Sequence, residues 1–329
     1  MPHKTIQQPI LIVDDEPQNL AALRQILMEE SDLIFARSGQ TALDAARNHS
    51  PKMILLDVDM PEMDGYEVCR RLKADPATEE IPIIFITSRA DPVSENLGFE
   101  IGAVDYIAKP VFPAVVLARV RAHLGRVQAS KLKIAYAESV MMLGKAGHFS
   151  DTDTGVHIWR MAAYSGVLAK ALGWGTADAE LIELAAPMHD TGKIGIPRRI
   201  LRKPGPLDEA EWVVMKTHTQ VGFDILSQSK SAMFKMAADI ALYHHEKWDG
   251  TGYPMGLKGT DIPESARIVA VADVFDALTM KRPYKDAWPQ DRAIAAIQEG
   301  SGKHFEPRVV DAFMGAVPEL LKAKERFSE

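Results

Sequence analysis

Through residue 107 the chain returns at regular intervals to short apolar runs rich in β-branched residues: Ile10–Val13, Leu33–Ala36, Met53–Leu56, Ile83–Ile86 and Val104–Ile107. Between them lie segments of helical periodicity, such as Asn19–Met28 with Leu20, Leu23, Ile26 and Leu27 on one face. This alternation constrains the fold more than any other feature, because strands linked through helices pair in parallel. It predicts an α/β, doubly wound, parallel five-stranded domain, with any ligand site at the carboxyl ends of the strands. After residue 145 the strand signals stop. Thr154–Ala171, Asp178–Met188, Glu209–Leu226, Met233–His244, Ala266–Met280 and Asp291–Gln298 carry helical spacings instead, which predicts a separate all-α domain. The expected division is 1–125 for the first domain, 126–145 for a helical connector and 146–329 for the second domain.

The connector belongs to one long helix starting at Pro113. Leu117, Val120, Leu124 and Val127 are spaced 3, 4 and 3, a short heptad-like seam whose register Lys131 and Glu138 break. It reads as the last helix of the first domain running on, with a dimerising coiled coil, and so a homodimer, as the alternative. Gly144 and Gly147 are expected to end it. The net charge of -7 and the pI near 5.8 argue against direct nucleic-acid binding but not against a nucleotide substrate in a locally positive pocket. The polar start, Met1 to Gln8, shows no signal sequence, no apolar run approaches a membrane span, and the single Cys69 suits a reducing cytoplasm.

Polar residues gather where the first fold predicts a site. Asp14 and Asp15 follow the first strand, Asp57 ends the third, Thr87 ends the fourth, and Lys109-Pro110 follows the fifth. Carboxylates converging on one sheet edge repel one another unless a cation lies among them, which implies Mg²⁺. A carboxylate beside Mg²⁺, a hydroxyl and a lysine can accept a phosphoryl group. Helix capping would account for Asp14-Asp15-Glu16-Pro17 but not for the polar residues at the other strand ends.

Together with Val13, the run Asp57–Gly65, Thr87 and Lys109-Pro110, those residues make positions 9–125 resemble the response-regulator receiver domain. The resemblance implies that Asp57 is the phosphoacceptor and that Asp14, Asp15 and the Asp59 main-chain carbonyl surround Mg²⁺. It further implies that Thr87 and Lys109 contact the phosphoryl group, that Tyr106 is the aromatic switch, and that a sensor histidine kinase is the phosphodonor.

In the second half the central feature is His189-Asp190-Thr191-Gly192-Lys193. Adjacent side chains on a helical turn diverge by about 100°, so one can bind a metal end-on while the other lies between two metals. His157, His218, His244, His245 and Asp273 accompany the pair, all in segments read as helical. A single histidine on a helix is ordinarily structural. Five of the ten histidines recurring near helix ends fit that reading poorly. The mix of imidazole and carboxylate suits Fe, Mn, Ni, Co or Zn rather than Ca or Mg. The paired histidines also open a Gly- and Pro-rich run, His244 to Pro254, shaped to seal a site as a flexible lid.

His189–Lys193, His218, His244–Pro254, Asp273–Thr279, Arg282–Lys285 and Gly302–Pro307 resemble the HD-GYP domain, a group of HD metal-dependent phosphohydrolases, over residues 138–325. The resemblance implies hydrolysis of cyclic di-GMP to pGpG, with continuation to GMP left open. It implies two transition metals (Fe, Mn, Ni or Co), one bound by His157, His189, Asp190 and Asp273 and the other by Asp190, His218, His244 and His245. Asp153 stands where some members carry a third-metal Glu. Lys193, Arg282 and Lys285 match positions that contact phosphate, while Gly252, Tyr253 and Pro254 would meet substrate or a partner protein. The remaining acids, Glu246, Asp249 and Asp276, are expected to orient metal-bound histidines. Alternatives are hydrolysis of another nucleotide such as a hybrid cyclic dinucleotide, docking onto a cyclic di-GMP synthase, and a di-iron redox centre.

Overall fold

The computed structural model describes residues 8–88, 92–148, 156–280 and 287–327. The chain packs as two compact units, Met1–Lys133 and Ile134–Glu329. In the first, β1 (Ile10–Val13), β2 (Leu33–Ala36), β3 (Met53–Asp57), β4 (Ile83–Thr87) and β5 (Asp105–Ala108) form a parallel sheet ordered β2-β1-β3-β4-β5. All five expected strands are present. The fifth starts one residue later than expected, although Val104 N already donates to Ile83 O at 2.9 Å. Helices α1 (Pro17–Leu27), α2 (Gly39–His49), α3 (Gly65–Lys73) and α4 (Pro92–Glu100) connect the strands, and α5 (Pro113–His148) follows the last.

Alternation along the strands feeds two cores. Ile10, Ile12, Leu55 and Ile84 meet Leu23 and Leu27 of α1 and Val116 and Val120 of α5. Leu11, Val13, Leu56 and Phe85 face the other way, onto Ala42 and Ala46 of α2 and Val68 and Leu72 of α3. Burial on both faces is why these strands read as continuous apolar runs. The sheet reverses direction at β1, which has β2 on one side and β3 on the other. That switch point opens a crevice at the carboxyl ends of β1 and β3, where Asp14 and Asp57 stand.

Leu117, Val120 and Leu124 of the heptad-like seam are spent on the sheet core. The unit boundary falls inside α5, which continues through Gly144 and Gly147 to His148. The two glycines are contact points rather than the expected stop. A Cβ on Gly144 would lie 2.8 Å from Pro187 O, and one on Gly147 2.8 Å from Thr191 Cα.

The second unit contains α6 (His157–Ala171), α7 (Thr176–Ala185), α8 (Arg198–Leu201), α9 (Glu209–Lys216), α10 (His218–Leu226), α11 (Ala232–Tyr243), α12 (Glu264–Thr279), α13 (Gln290–Glu299), α14 (Pro307–Gly315) and α15 (Val317–Arg326). Met161, Tyr164, Ile182, Ile240, Val269, Phe275 and Phe313 form the centre of its core. Two segments read as single helices are divided. The first passes from α7 into a 3-10 turn, Ala186–Met188, because Pro187 has no N–H to continue the ladder. The second breaks at Thr217, whose hydroxyl donates to Val214 O at 2.7 Å, so that α10 starts afresh at His218. Helices α14 and α15 lie beyond the last helix read from the sequence. No helix among the described residues is long and apolar enough to cross a membrane.

Candidate functional sites

Helix α6, the turns after α7, the start of α10, the end of α11 and the middle of α12 bring the seven candidate metal ligands together. Asp190, His218, His244 and His245 offer ligand atoms within 4.8 Å of one another, and so do His157, His189 and Asp273. Asp190 reaches both groups. Its Oδ1 lies 3.4 Å from His218 Nε2 and 3.8 Å from His244 Nε2, and its Oδ2 lies 3.3 Å from His189 Nε2. His189 and Asp190 sit where two 3-10 turns meet, Ala186–Met188 and Thr191–Gly195, not on an α-helical turn. The second turn lies directly on the start of α10. A Cβ on Gly192 would come within 1.9 Å of His218 O, so only glycine lets Asp190 approach His218 this closely.

Four of the histidines are held by Nδ1. His189 Nδ1 donates to Ala186 O (2.9 Å), His218 Nδ1 to Met215 O (2.7 Å) and His244 Nδ1 to Ile240 O (3.0 Å). His157 Nδ1 donates instead to Asp276 Oδ2 at 2.6 Å. With Nδ1 occupied, Nε2 is the nitrogen left to ligate. Burial pushes His244 down to about 3, with His189 adding to the effect. It also lowers His218 and takes His245 well below the ordinary value. Burial pulls His189 down too, but the carboxylates of Asp190 and Asp273 outweigh it and hold this imidazole at about 9. Neutral imidazole is the ligating form.

The Nε2 atoms of His218 and His244 are buried without a hydrogen-bond partner among the described residues. Orphaned buried nitrogens are rare in folded proteins, and a metal ion is one of the few groups that resolves them. The donor set therefore fits a pair of divalent ions with nitrogen and carboxylate preference.

Lys193 Nζ lies 2.8 Å from Asp190 Oδ2, which places a cation at the edge of this cluster. The Tyr253 ring stacks on His245 (centroids 4.7 Å apart, 29° between planes), and the Lys216 ammonium lies 5.3 Å from the Tyr253 centroid. The loop expected as a flexible lid is tied down. The Glu246 carboxylate, 2% exposed, accepts from the main-chain N–H groups of Met255 (2.7 Å), Gly256 (3.0 Å) and Leu257 (3.1 Å). A Cβ on Gly252 would meet Lys247 N at 2.4 Å, so the chain lies flat against the backbone after the histidine pair. Pro254 follows a cis Tyr253-Pro254 bond.

Of the three acids expected to orient histidines, only Asp276 bonds to one among the described residues. Glu246 braces the loop, and Asp249 accepts from Thr251 N (2.9 Å) and Oγ1 (2.7 Å) within a turn. Asp153, Arg282 and Lys285 lie outside the described residues. Sequence reading missed Arg160, whose Nε and Nη2 reach the two oxygens of Asp276 at 2.5 and 3.0 Å. The available signal was spacing, since Arg160 follows His157 by one helical turn, as Asp276 follows Asp273.

In the first unit, Asp14, Asp15 and Asp57 likewise offer ligand oxygens within 4.8 Å of one another. Lys109 Nζ lies 2.9 Å from Asp57 Oδ2 and 3.0 Å from Asp14 Oδ2. Burial raises the Asp57 carboxyl above its ordinary value, and the Lys109 hydrogen bond offsets part of that. Asp14 Oδ1 accepts from Glu16 N (2.9 Å) and Asn19 Nδ2 (3.0 Å), which orients its carboxylate. Asp59 N donates to Asp57 Oδ1 (3.4 Å), and its side chain accepts from Ser88 Oγ (2.7 Å). Thr87 is the buried last residue of β4. Tyr106 is half-buried in β5 and edge-on to Phe99, with centroids 6.1 Å apart.

Residues 10–121 match the family model for the response regulator receiver domain, and residues 126–309 match that for the HD domain. A probable cyclic di-GMP phosphodiesterase of Vibrio cholerae is 39% identical, covering 98% of this chain and 81% of the relative. The cyclic di-GMP phosphodiesterase response regulator RpfG of Xanthomonas campestris is 38% identical over 97% of this chain and 90% of its own length. A 3'3'-cGAMP-specific phosphodiesterase of Vibrio cholerae is 45% identical over 177 residues, 54% of this chain and 34% of that protein. A receiver domain implies a phosphodonor such as a histidine kinase, and an HD domain is a metal-dependent hydrolase domain. The chain belongs to the cyclic di-GMP phosphodiesterase response regulators, a receiver domain followed by an HD domain.

Proposed function

We propose that this protein hydrolyses cyclic di-GMP at the histidine–aspartate cluster of its second unit, opening one phosphodiester to give pGpG, under control of phosphorylation at Asp57. The observation that carries this reading is the convergence of His157, His189, Asp190, His218, His244, His245 and Asp273 into two adjoining ligand groups with Asp190 between them. Fe, Mn, Ni or Co bound there would lower the pKa of a bound water and brace both oxygens of an in-line displacement. The protein's own part is preorganisation. The Nδ1 bonds hold four of the five rings in place, burial favours the neutral form of His218, His244 and His245, and Asp190 serves both groups through its two oxygens. Lys193 stands where its charge can oppose that developing on the phosphodiester, and Arg282 and Lys285 are assigned to the same phosphates. In the receiver, Asp14, Asp15 and the Asp59 carbonyl would hold Mg²⁺, while Lys109 and Thr87 meet the phosphoryl oxygens. The division into 1–125, 126–145 and 146–329 belongs to the same proposal.

A second substrate is favoured by one observation, the 45% identity over 177 residues to a 3'3'-cGAMP-specific phosphodiesterase. The deciding experiment offers both cyclic dinucleotides to anaerobically purified protein loaded with Fe, Mn, Ni or Co, with and without an acyl-phosphate donor. Release of pGpG from cyclic di-GMP, with a phosphodonor effect absent in Asp57→Asn, is the expected result. Turnover of 3'3'-cGAMP alone would overturn the substrate assignment, and survival of both dinucleotides in every metal form would overturn the hydrolase reading.

A further inference from the structure

We propose that Arg160 is a positioning residue for the His157 half of the metal site, acting through Asp276. The inference rests on the reading of that cluster as metal-binding. The histidines differ in what holds them. His189 and His244 follow helical turns whose carbonyls take their Nδ1–H, and α9 ends beside His218 and supplies Met215 O. His157 is the first residue of α6. Its Nδ1 is held by a side chain, the Asp276 carboxylate.

A carboxylate 1% exposed needs its own orientation and its own countercharge, and Arg160 supplies both. The guanidinium donates Nε–H to Oδ1 (2.5 Å) and Nη2–H to Oδ2 (3.0 Å), which fixes the carboxylate plane so that Oδ2 faces His157 Nδ1. Arg160 is among the largest fully buried side chains, at 2% exposure, so it has no route to substrate and works only through its partner. A further bond runs from Nη1 to Phe327 O (3.3 Å), just past α15, where the Phe327 ring stacks on Trp159. That anchor lies beyond residue 309, where the match to the HD family model ends.

The test is calorimetric titration of Mn²⁺ into the metal-stripped full chain, comparing wild type with His157→Ala, Asp276→Asn, Arg160→Met and Arg160→Lys. Circular dichroism and thermal unfolding establish that each variant is folded. With Mg²⁺ in excess to fill the acidic pocket of the receiver, wild type is expected to bind two Mn²⁺ and His157→Ala to lose one. Asp276→Asn and Arg160→Met should weaken that same ion about 10–100-fold and leave the other unchanged. Arg160→Lys should fall between, because a point-like ammonium cannot span both carboxylate oxygens. If Arg160→Met does not fold, the nearly isosteric Asp276→Asn and Arg160→Lys decide. Wild-type affinity for both ions in those folded variants, or equal weakening of both ions, would overturn the proposal. Wild type that takes up no Mn²⁺ would instead remove the metal-site reading, and this inference with it.

Discussion

Asp57 and Asp190 are both nearly buried carboxylates, at 2% and 7% exposure, yet their surroundings follow opposite plans. Around Asp57 the potential ligands are oxygens from strand ends, and Lys109 already bridges Asp57 and Asp14. Around Asp190 the candidate ligands are mostly imidazoles, and His189, His218 and His244 are tied to main-chain carbonyls. Oxygen donors at a sheet edge favour a hard, exchangeable ion such as Mg²⁺, whereas fixed nitrogen donors favour a tightly held transition metal. The difference matches the work asked of each half. A switch must gain and lose its charge, while a hydrolase must keep its geometry through every turnover.

The largest effect should come from removing the carboxylate shared by the two ligand groups. Asp190→Ala is expected to lower cyclic di-GMP hydrolysis by at least about a hundredfold and to reduce bound metal by elemental analysis, while acyl-phosphate labelling at Asp57 continues. Loss of labelling in that variant would break the contrast between two independently built sites. Next comes metal withdrawal. A transition-metal chelator should lower the unfolding midpoint of the helical unit, since an ion at a hundred times its Kd contributes about 2.7 kcal/mol. The receiver midpoint should not move, and differential scanning calorimetry would show whether both transitions shift.

The smallest effect concerns the strain stored at Asp57. Burial raises its folded pKa above the unfolded value near 3.8. The folded state then binds more protons between those two values, so stability falls as pH rises through them. At pH 7 the ionised carboxylate is destabilising, and Asp57→Asn should raise the receiver midpoint by roughly 3–6 °C for each kcal/mol relieved. That gain should vanish below about pH 3.8, where Asp57 is neutral in both states. Thermal melts of both proteins across pH test the sign. A gain that persists in acid would assign the effect to packing.

The five strands were legible because a sheet buried on both faces requires unbroken apolar runs, and the acidic pocket around Asp57 because polar residues stand at the ends of those runs. Helix ends in the second unit were less legible. Pro187 and Thr217 each convert a continuous periodic pattern into a turn, while Gly144 and Gly147 look like breaks and are contact points. Glu246 carries no local mark that separates it from Asp276, yet one braces the loop at Met255–Leu257 and the other holds His157.

The sequence by itself determined the two-part architecture, the identity of the candidate ligands and the family, because periodicity and residue type survive without coordinates. Tertiary structure decided that Asp276 meets His157 while Glu246 braces a loop, and that Arg160 grips Asp276 behind His157. Those outcomes depend on which atoms meet across helices far apart in the chain. Arg160 and Asp276 are separated by 116 residues, a distance over which local pattern carries no information about contact.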